Sequence, residues 1–141
     1  MDGCDADEDV VNSLPQEKYK KRFQFKLGSD KLPFKDGEKD FVICSCVIQH
    51  LDSFSQLEEG IKEIARVLKK GATFILIFKC GSNDSLLIHF NEYYKEQRTF
   101  RVYNPQSVIE LGTKMGLMVE QNELFMDDNW IPYTQLVFRK K

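Results

Sequence analysis

The sequence lacks several patterns that identify common classes of protein. Its four cysteines, in 141 residues, show none of the regular spacing of a disulfide framework. No apolar run approaches the roughly 20 residues that a membrane-spanning helix needs. The first ten residues are acidic, whereas a signal peptide begins basic and then becomes apolar. We therefore expect a protein of a reducing intracellular compartment, with the cytoplasm as the default.

The chain also has little excess of positive or negative charge. The formal net charge is −2 at pH 7, which gives no electrostatic reason to expect nucleic acid or an anionic membrane as a partner. This balance favours a small molecule as the ligand, over nucleic acid or protein. A length of 141 residues suits one domain with a core and is too short for two, so we predict a single domain over residues 1–141.

The glycines do not form the closely spaced pair that a nucleotide-binding turn needs. The eight glycines lie at positions 3, 28, 37, 60, 71, 81, 112 and 116. No two of them are separated by a single residue, so the sequence has no Gly-x-Gly turn. Such a turn, between a strand and a helix, lets the backbone approach a nucleotide cofactor closely.

The cysteines are interpreted as buried free thiols. Cys44 and Cys46 fall in an apolar strand, where alternation would place both side chains on the same face. A metal site would need a second pair of ligands, and none is visible in the sequence. We therefore predict no metal site, because an isolated free cysteine usually behaves as a small buried hydrophobe.

Local patterns predict two buried strands with a helix between them. Phe41 to Val47 is a continuous apolar run, typical of a parallel strand that is covered on both faces. Ser55 and Glu58 form a predicted capping box, and Gly71 is the predicted end of the helix. Thr73 to Phe78 is the second strand. The helix has one apolar stripe, formed by Leu57, Ile61, Ile64, Ala65 and Leu68.

The later part of the chain continues the alternation of strands and helices. Residues 81–104 are interpreted as a variable insert, with a helix from about Ser85 to Lys95. Asn104 is a predicted helix cap. Leu117–Val119 and Tyr133–Phe138 are predicted strands with no helix between them, which favours an antiparallel hairpin. The class is therefore α/β, with a mostly parallel sheet and helices on both faces.

This order of segments resembles the Rossmann-like class I S-adenosylmethionine-dependent methyltransferases. The likeness depends on Leu32 to Leu51, followed at the family's spacing by the helix, glycine and strand of Ile64 to Phe78. It implies methyl transfer from S-adenosylmethionine to an unidentified acceptor, in a crevice at the carboxyl ends of the strands. It also implies that the family's first strand, glycine-rich turn and first helix are missing here.

The resemblance assigns five positions to the cofactor. It implies that Asp5 takes the ribose hydroxyls, that Ser29 and Asp30 meet the adenine amine, and that Ser45 and Cys46 line the methionine end. Other interpretations of the same residues stay open. Asp5 also suits a solvated acidic segment, and Asp30 suits the cap of a turn.

Three further residues are candidates for the acceptor side. They are His50, Tyr94 and Tyr103, because apolar pockets with a few polar groups are typical of ligand sites. The alternative is that His50 packs at the start of the next segment and that Tyr94 belongs to the buried stripe of a helix. No catalytic residue is assigned, since alignment of donor and acceptor supplies much of the acceleration in such reactions.

The missing first strand has three interpretations. In the family it lies in the middle of the sheet, between the second and fourth strands, so its loss leaves two unpaired edges. The chain is then a truncated enzyme, a natural short relative, or one partner of a dimer in which another molecule completes the sheet. The alternative function is a catalytically inactive, methyltransferase-like binding or scaffolding module.

Overall fold

The computed structural model describes the backbone of residues 1–91, 96–128 and 130–141 and, outside 85–98, their side chains. The strands are β1 Asp2–Asp5, β2 Lys21–Gln24, β3 Lys39–Ser45, β4 Leu68–Lys79, β5 Ser85–Asn91, β6 Glu96–Val102, β7 Leu117–Met126 and β8 Pro132–Lys140. The α-helices are α1 Glu8–Ser13, α2 Phe54–Val67 and α3 Pro105–Lys114, and a 3-10 helix spans Ile48–His50. Within these described residues, none of the helices is long and apolar enough to cross a membrane.

The strands form parallel pairs and an antiparallel end, as the sequence predicts. β1 pairs with β2 in parallel, and β3 pairs with β4 in parallel. β8 lies between β4 and β7 and is antiparallel to both, which gives the order β3-β4-β8-β7. The predicted α/β class and the antiparallel C-terminal hairpin are therefore confirmed.

A gap separates the β1–β2 sheet from the four-stranded sheet, between β1 and β3. Among the described residues these two strands share no ladder, since β1 pairs with β2 and β3 with β4. An ion pair joins their first residues, with Lys39 Nζ 2.6 Å from Asp2 Oδ2. This gap is the place that the resemblance assigns to the family's first strand.

The core lies where α2 and α3 meet the sheet. Alternate residues of β4 and β8 are fully buried there, including Phe74 of β4 and Phe138 of β8. Gly112 of α3 lies against the ring of Phe138, where an added Cβ would be 2.7 Å from Cε1. Glycine therefore allows the helix to approach the sheet this closely. The rings of Phe74 and Phe138 stack at 5.8 Å between centroids.

The prediction that β3 is covered on both faces is wrong for the described residues. Cys44 is buried against the core, but Phe41 and Ile43 are 51% and 55% exposed. An apolar run shows that a strand can be buried, whereas actual burial needs a second layer of structure over the other face. Here β3 is covered on the side of α2 and open on the other.

The ends of α2 also differ from their predicted positions. Ser53, and not Ser55, is the N-cap, and its Oγ accepts a hydrogen bond of 3.2 Å from the amide of Gln56. Phe54 is already helical and packs near the ring of Tyr103, at 6.3 Å between centroids, which fixes the earlier start. α2 ends at Val67, and the positive-φ Gly71 lies inside β4.

The predicted helix from Ser85 to Lys95 is wrong. Residues 85–91 form β5, which pairs antiparallel with β6 from Ser85 opposite Val102 to Asn91 opposite Glu96. The remaining predicted positions, 92–95, lie outside the described residues. The pairing partner is a later segment with β-favouring residues such as Thr99 and Phe100, so a local pattern misses it.

The loop before β3 is held by one arginine of α2. The guanidinium of Arg66 donates to the carbonyl oxygens of Phe34 and Leu32, at 2.9 and 3.2 Å, and to Asp36 Oδ1 at 2.8 Å. It also donates to both oxygens of Glu63, which in turn accepts from the amide of Leu32 at 2.8 Å. These bonds fix the segment that carries most of the family resemblance.

Candidate functional site

The carboxyl ends of the parallel strands meet at one edge of the molecule. The ion pair between Asp2 and Lys39 joins the starts of β1 and β3. Further along, the electrostatic effect of Cys4 on the pKa of Cys44 agrees with strands that run in the same direction. β1, β3 and β4 therefore end on the same side, where open α/β sheets bind their ligands.

Asp5 is the last residue of β1 and is half-buried. Its Oδ1 accepts a hydrogen bond of 2.9 Å from the amide of Asp7, which starts the turn into α1. Its backbone oxygen accepts from the amide of Phe25 at 2.9 Å. The structure therefore places Asp5 at the predicted strand end, with one carboxylate oxygen committed to its own turn.

Ser29 and Asp30 lie in an exposed turn after β2. Oδ2 of Asp30 accepts from the amide of Lys26 at 2.8 Å, which closes the turn. Gly28 has a φ of 84° and packs against the backbone of Gln56 in α2, so a side chain there would clash. The turn-capping interpretation of Asp30 is observed, and the contacts of Ser29 and Asp30 with adenine stay a prediction.

Ser45 and Cys46 form the exit from β3. Ser45 ends the strand, and Cys46 has a φ of 58°, which few residues other than glycine adopt. The amide of Cys46 still donates to the oxygen of Ile77, at 2.8 Å. Both side chains are exposed at this edge, with Ser45 Oγ 3.7 Å from Cys46 Sγ.

The prediction that Cys44 and Cys46 share a face is wrong. Cys44 is buried, and burial raises the pKa of its thiol to about 12. Cys46 lies beyond the end of β3 and is exposed. The left-handed backbone at Cys46 ends the strand alternation, so the rule that places residues i and i+2 together no longer applies.

The predicted acceptor-side residues differ in their exposure to solvent, and one of them is not described. His50 is exposed, and its ring lies 5.3 Å from the ring of Phe100. Tyr103 is fully buried, and its hydroxyl donates to the carbonyl oxygen of Ile48 at 2.9 Å. Burial raises the pKa of Tyr103 to about 12. Tyr94 lies outside the described residues.

Lys79 is the residue that the sequence analysis missed. It ends β4 and is only 8% exposed. Its ammonium lies 4.4 Å from the ring centroid of Phe100 and 5.4 Å from that of Tyr133. Burial lowers the pKa of Lys79, against opposing effects of Asp127 and the thiol of Cys46. Lys79 therefore lies close to the exit from β3.

A cleft of about 450 Å³ opens beside Lys79. Its base is fixed by backbone bonds, from Cys80 to Pro132 at 3.0 Å and from Gly81 to Tyr103 at 3.1 Å. Its lining residues are Lys79, Cys80, Gly81, Ser82, Asn83, Phe100, Val102, Trp130, Ile131 and Pro132. This volume is in the range of small-molecule sites.

Comparisons with known proteins agree on one family. The family profile described as a methyltransferase domain matches residues 2–76. A Bacillus subtilis protein named uncharacterized methyltransferase YcgJ is 31% identical over 131 residues, which cover 89% of this chain and 49% of that protein. A protein from Encephalitozoon cuniculi, also named as a methyltransferase, is 29% identical and is matched over 67% of this chain and 54% of its own length. The chain thus spans about half the length of these curated relatives.

A solved structure shows the same fold. An S-adenosylmethionine-dependent methyltransferase from Methanosarcina mazei superposes with a TM-score of 0.77. The alignment covers 98% of this chain and 80% of that chain, at 17% identity. At this identity the likeness establishes the architecture, and the sequence relatives and the matched profile establish the family.

Proposed function

This chain belongs to the family of S-adenosylmethionine-dependent methyltransferases, and we propose that it binds this cofactor and methylates a small molecule held in the cleft beside Lys79. One observation carries the proposal: Asp5, Ser45 and the cleft all lie at the same edge, where the parallel strands end. When bound, the cofactor supplies an activated methyl group on its sulfonium. The chain's own residues would bind and align the two reactants.

Asp5 would bind the ribose. A carboxylate can accept charge-assisted hydrogen bonds from two neighbouring hydroxyl groups. Oδ1 of Asp5 is already bonded to Asp7, so Oδ2 would be the principal acceptor. On the adenine side, Ser29 and Asp30 would offer acceptors for the amine. Ser45 and Cys46, on the other side of the gap, would contact the methionine end.

Alignment would be the main chemical contribution of the chain. Methyl transfer requires the acceptor atom, the methyl carbon and the sulfur to lie nearly in line. Holding reactants in such a geometry is worth roughly 7–11 kcal/mol in favourable cases. The adjoining positions of the β3 exit and the cleft are suited to this role, because Cys46 bonds to Ile77, two residues before Lys79 in β4.

We also propose that a further strand fills the gap between β1 and β3. Asp5, Ser29 and Asp30 would hold the adenosine half of the cofactor, but the sequence has no Gly-x-Gly turn through which the backbone could approach the cofactor closely. Among the described residues, nothing pairs with the facing edges of β1 and β3, and Phe41 and Ile43 are exposed beside the gap. The strand would come from a preceding segment or from a second copy of the chain.

Calorimetry with S-adenosylhomocysteine tests the cofactor proposal. We expect weak or undetectable binding to the 141-residue chain, and clear binding when a preceding strand, Gly-x-Gly turn and helix are supplied. In the completed protein, Asp5→Asn should weaken binding, whereas Glu8→Gln, an exposed acidic residue of α1, should leave it unchanged. Absence of binding in both forms would sink the enzyme proposal and favour the inactive binding module.

The proposed compartment is the cytoplasm. All four cysteines are free thiols, and two of them, Cys44 and Cys80, are buried. Free thiols suit a reducing environment. A cell-fractionation experiment that found the protein in an oxidising compartment would contradict this placement.

A further inference from the structure

Lys79 is a buried cation that forms no ion pair among the described residues. The residue is only 8% exposed, and the carboxylate of Asp127 opposes the effect of burial on the pKa of its ammonium. The rings of Phe100 and Tyr133 offer it their faces at 4.4 and 5.4 Å. Ring faces stabilise a cation less than a carboxylate does, so the desolvated charge is only partly compensated.

Lys79 is one of the residues that line the cleft. The described residues that line the cleft include apolar groups from Phe100, Val102 and Trp130. Among these lining residues, Lys79 is the one that carries a charge. The nearby carboxylate of Asp127 is outside the lining and accepts a hydrogen bond of 2.8 Å from the amide of Ile131. The cleft is therefore apolar, with a single cation in its wall.

Trp130 gives the cleft a second unusual feature. It has a φ of 60°, a conformation that costs energy for a bulky residue, and its side chain is 81% exposed. Such a conformation persists only where the surrounding loop enforces it. Here the amide of Trp130 donates to the backbone oxygen of Asp127 at 3.0 Å. The loop thus holds an exposed flat ring at the rim of the cleft.

We propose that Lys79 is an anion-binding residue that selects a methyl acceptor with a carboxylate on a flat, apolar skeleton. The carboxylate would pair with the ammonium of Lys79, and the skeleton would lie between the side chains of Phe100 and Trp130. This deepens the proposed function, because it takes the cleft as the acceptor site. The pairing would bring an anion into direct contact with the buried cation, and the ring would cover the exposed indole.

The binding of benzoate, with benzamide as its neutral isostere, tests the proposal directly. Trp130 is the single tryptophan of the chain, so its fluorescence reports on the cleft. We expect benzoate to bind at least about tenfold more tightly than benzamide, the size of one charge-assisted hydrogen bond. Lys79→Met should remove this preference and leave the affinity for benzamide unchanged.

A lysine of the same strand provides the matched control. Lys69 lies near the start of β4, is exposed, and pairs with Asp40 at 2.8 Å. Lys69→Met should keep the full preference for benzoate. Equal affinities for the two probes in the native chain, or no fluorescence response to either, would overturn the proposal. So would a preference that survives in folded Lys79→Met.

The native-chain comparison stands even if Lys79→Met fails to fold, since it needs no variant. The titration also uses neither cofactor nor turnover. A preference for benzoate, with no binding of S-adenosylhomocysteine even after the preceding strand, turn and helix are supplied, would refute the methyltransferase proposal and keep the anion site. Binding of the cofactor without any preference for benzoate would keep the methyltransferase proposal and refute the anion site.

Discussion

The two edges of β3 have opposite environments. On one edge, residues Phe41 to Ser45 pair in register with Thr73 to Ile77 of β4. On the other edge, the side chain of Lys39 reaches Asp2 of β1, and no ladder forms among the described residues. β3 is therefore paired along one edge and, among the described residues, unpaired along the other.

The comparison shows that side chains of this sheet are buried only where a further strand or helix covers them. On the α2 side, β4, β8 and the two longer helices enclose fully buried side chains such as Phe74 and Leu76. On the gap side, Phe41 and Ile43 stay about half exposed. We infer that most of the stability of the chain comes from the enclosed side, while the capacity to hold the cofactor depends on the open one.

The largest expected effect contrasts two phenylalanines. Phe74→Ala should lower the free energy of unfolding by about 3–5 kcal/mol, because its ring is fully buried in the core. Phe41→Ala should lower it by less than about 1 kcal/mol, because half of that side chain is exposed. Urea unfolding followed by circular dichroism measures both. Similar losses would break the comparison and show that Phe41 is covered in solution.

The next effect concerns the loop that leads into β3. Arg66→Ala should cost about 2 kcal/mol at pH 7, since it removes charge-assisted hydrogen bonds to Glu63 and to the loop. The bond with Arg66 lowers the pKa of the Glu63 carboxyl. This contribution is therefore present above the ordinary pKa of a carboxyl group and is lost as the pH falls through the lowered value.

Unfolding of the variant at several pH values checks the sign. The difference between native and Arg66→Ala should shrink on acidification. Lys62→Ala, an exposed change on the same helix, is the control and should have little effect at any pH. A pH-independent difference would show that Arg66 acts through packing and not through its pairing with Glu63.

A smaller effect distinguishes two serines at the start of α2. Ser53→Ala should cost about 1 kcal/mol, because the Ser53 hydroxyl caps the amide of Gln56. Ser55→Ala should cost less than about 0.5 kcal/mol, because Ser55 is exposed within the first turn. Thermal unfolding of the two variants measures the contrast. A larger loss for Ser55→Ala than for Ser53→Ala would show that Ser55 caps the helix, as the sequence predicts.

The smallest effect lies on the open side. Asp2→Asn should cost no more than about 0.5 kcal/mol, because the pair with Lys39 is partly exposed. The hydrogen bond from Lys39 lowers the pKa of Asp2, so any contribution fades as the pH falls through that lowered value. Unfolding at low and high salt should show the loss only at low salt. A larger, salt-independent loss would mean that β1 and β3 are coupled more tightly than the open gap indicates.

The sequence predicts the elements whose signals are local. The strand at Thr73–Phe78, the cap at Asn104 and the α/β alternation all follow from patterns within a few residues. Asn104 indeed caps α3, accepting from the amide of Gln106 at 3.0 Å. The strand predicted at Phe41 to Val47 is also present, although it ends at Ser45.

Features that depend on distant partners could not be predicted. The pairing of β5 with β6 joins residues that are distant in the sequence, such as Ser85 and Val102, so a local pattern cannot show it. Lys79 follows an apolar strand in the sequence, and only the rings of Phe100 and Tyr133 show that its ammonium is buried. The burial of Tyr103 has the same origin, because its hydroxyl meets the distant Ile48.

The position of β8 has a consequence for synthesis. β8 follows β7 in the chain but lies between β4 and β7, and Lys140 donates to the backbone oxygens of Ala65 and Leu68 at the end of α2. While the ribosome is still making residues 132–140, β4 and β7 have no strand to join them. The enclosed side must therefore form late in translation, and nascent chains that stall before Pro132 should stay dependent on chaperones.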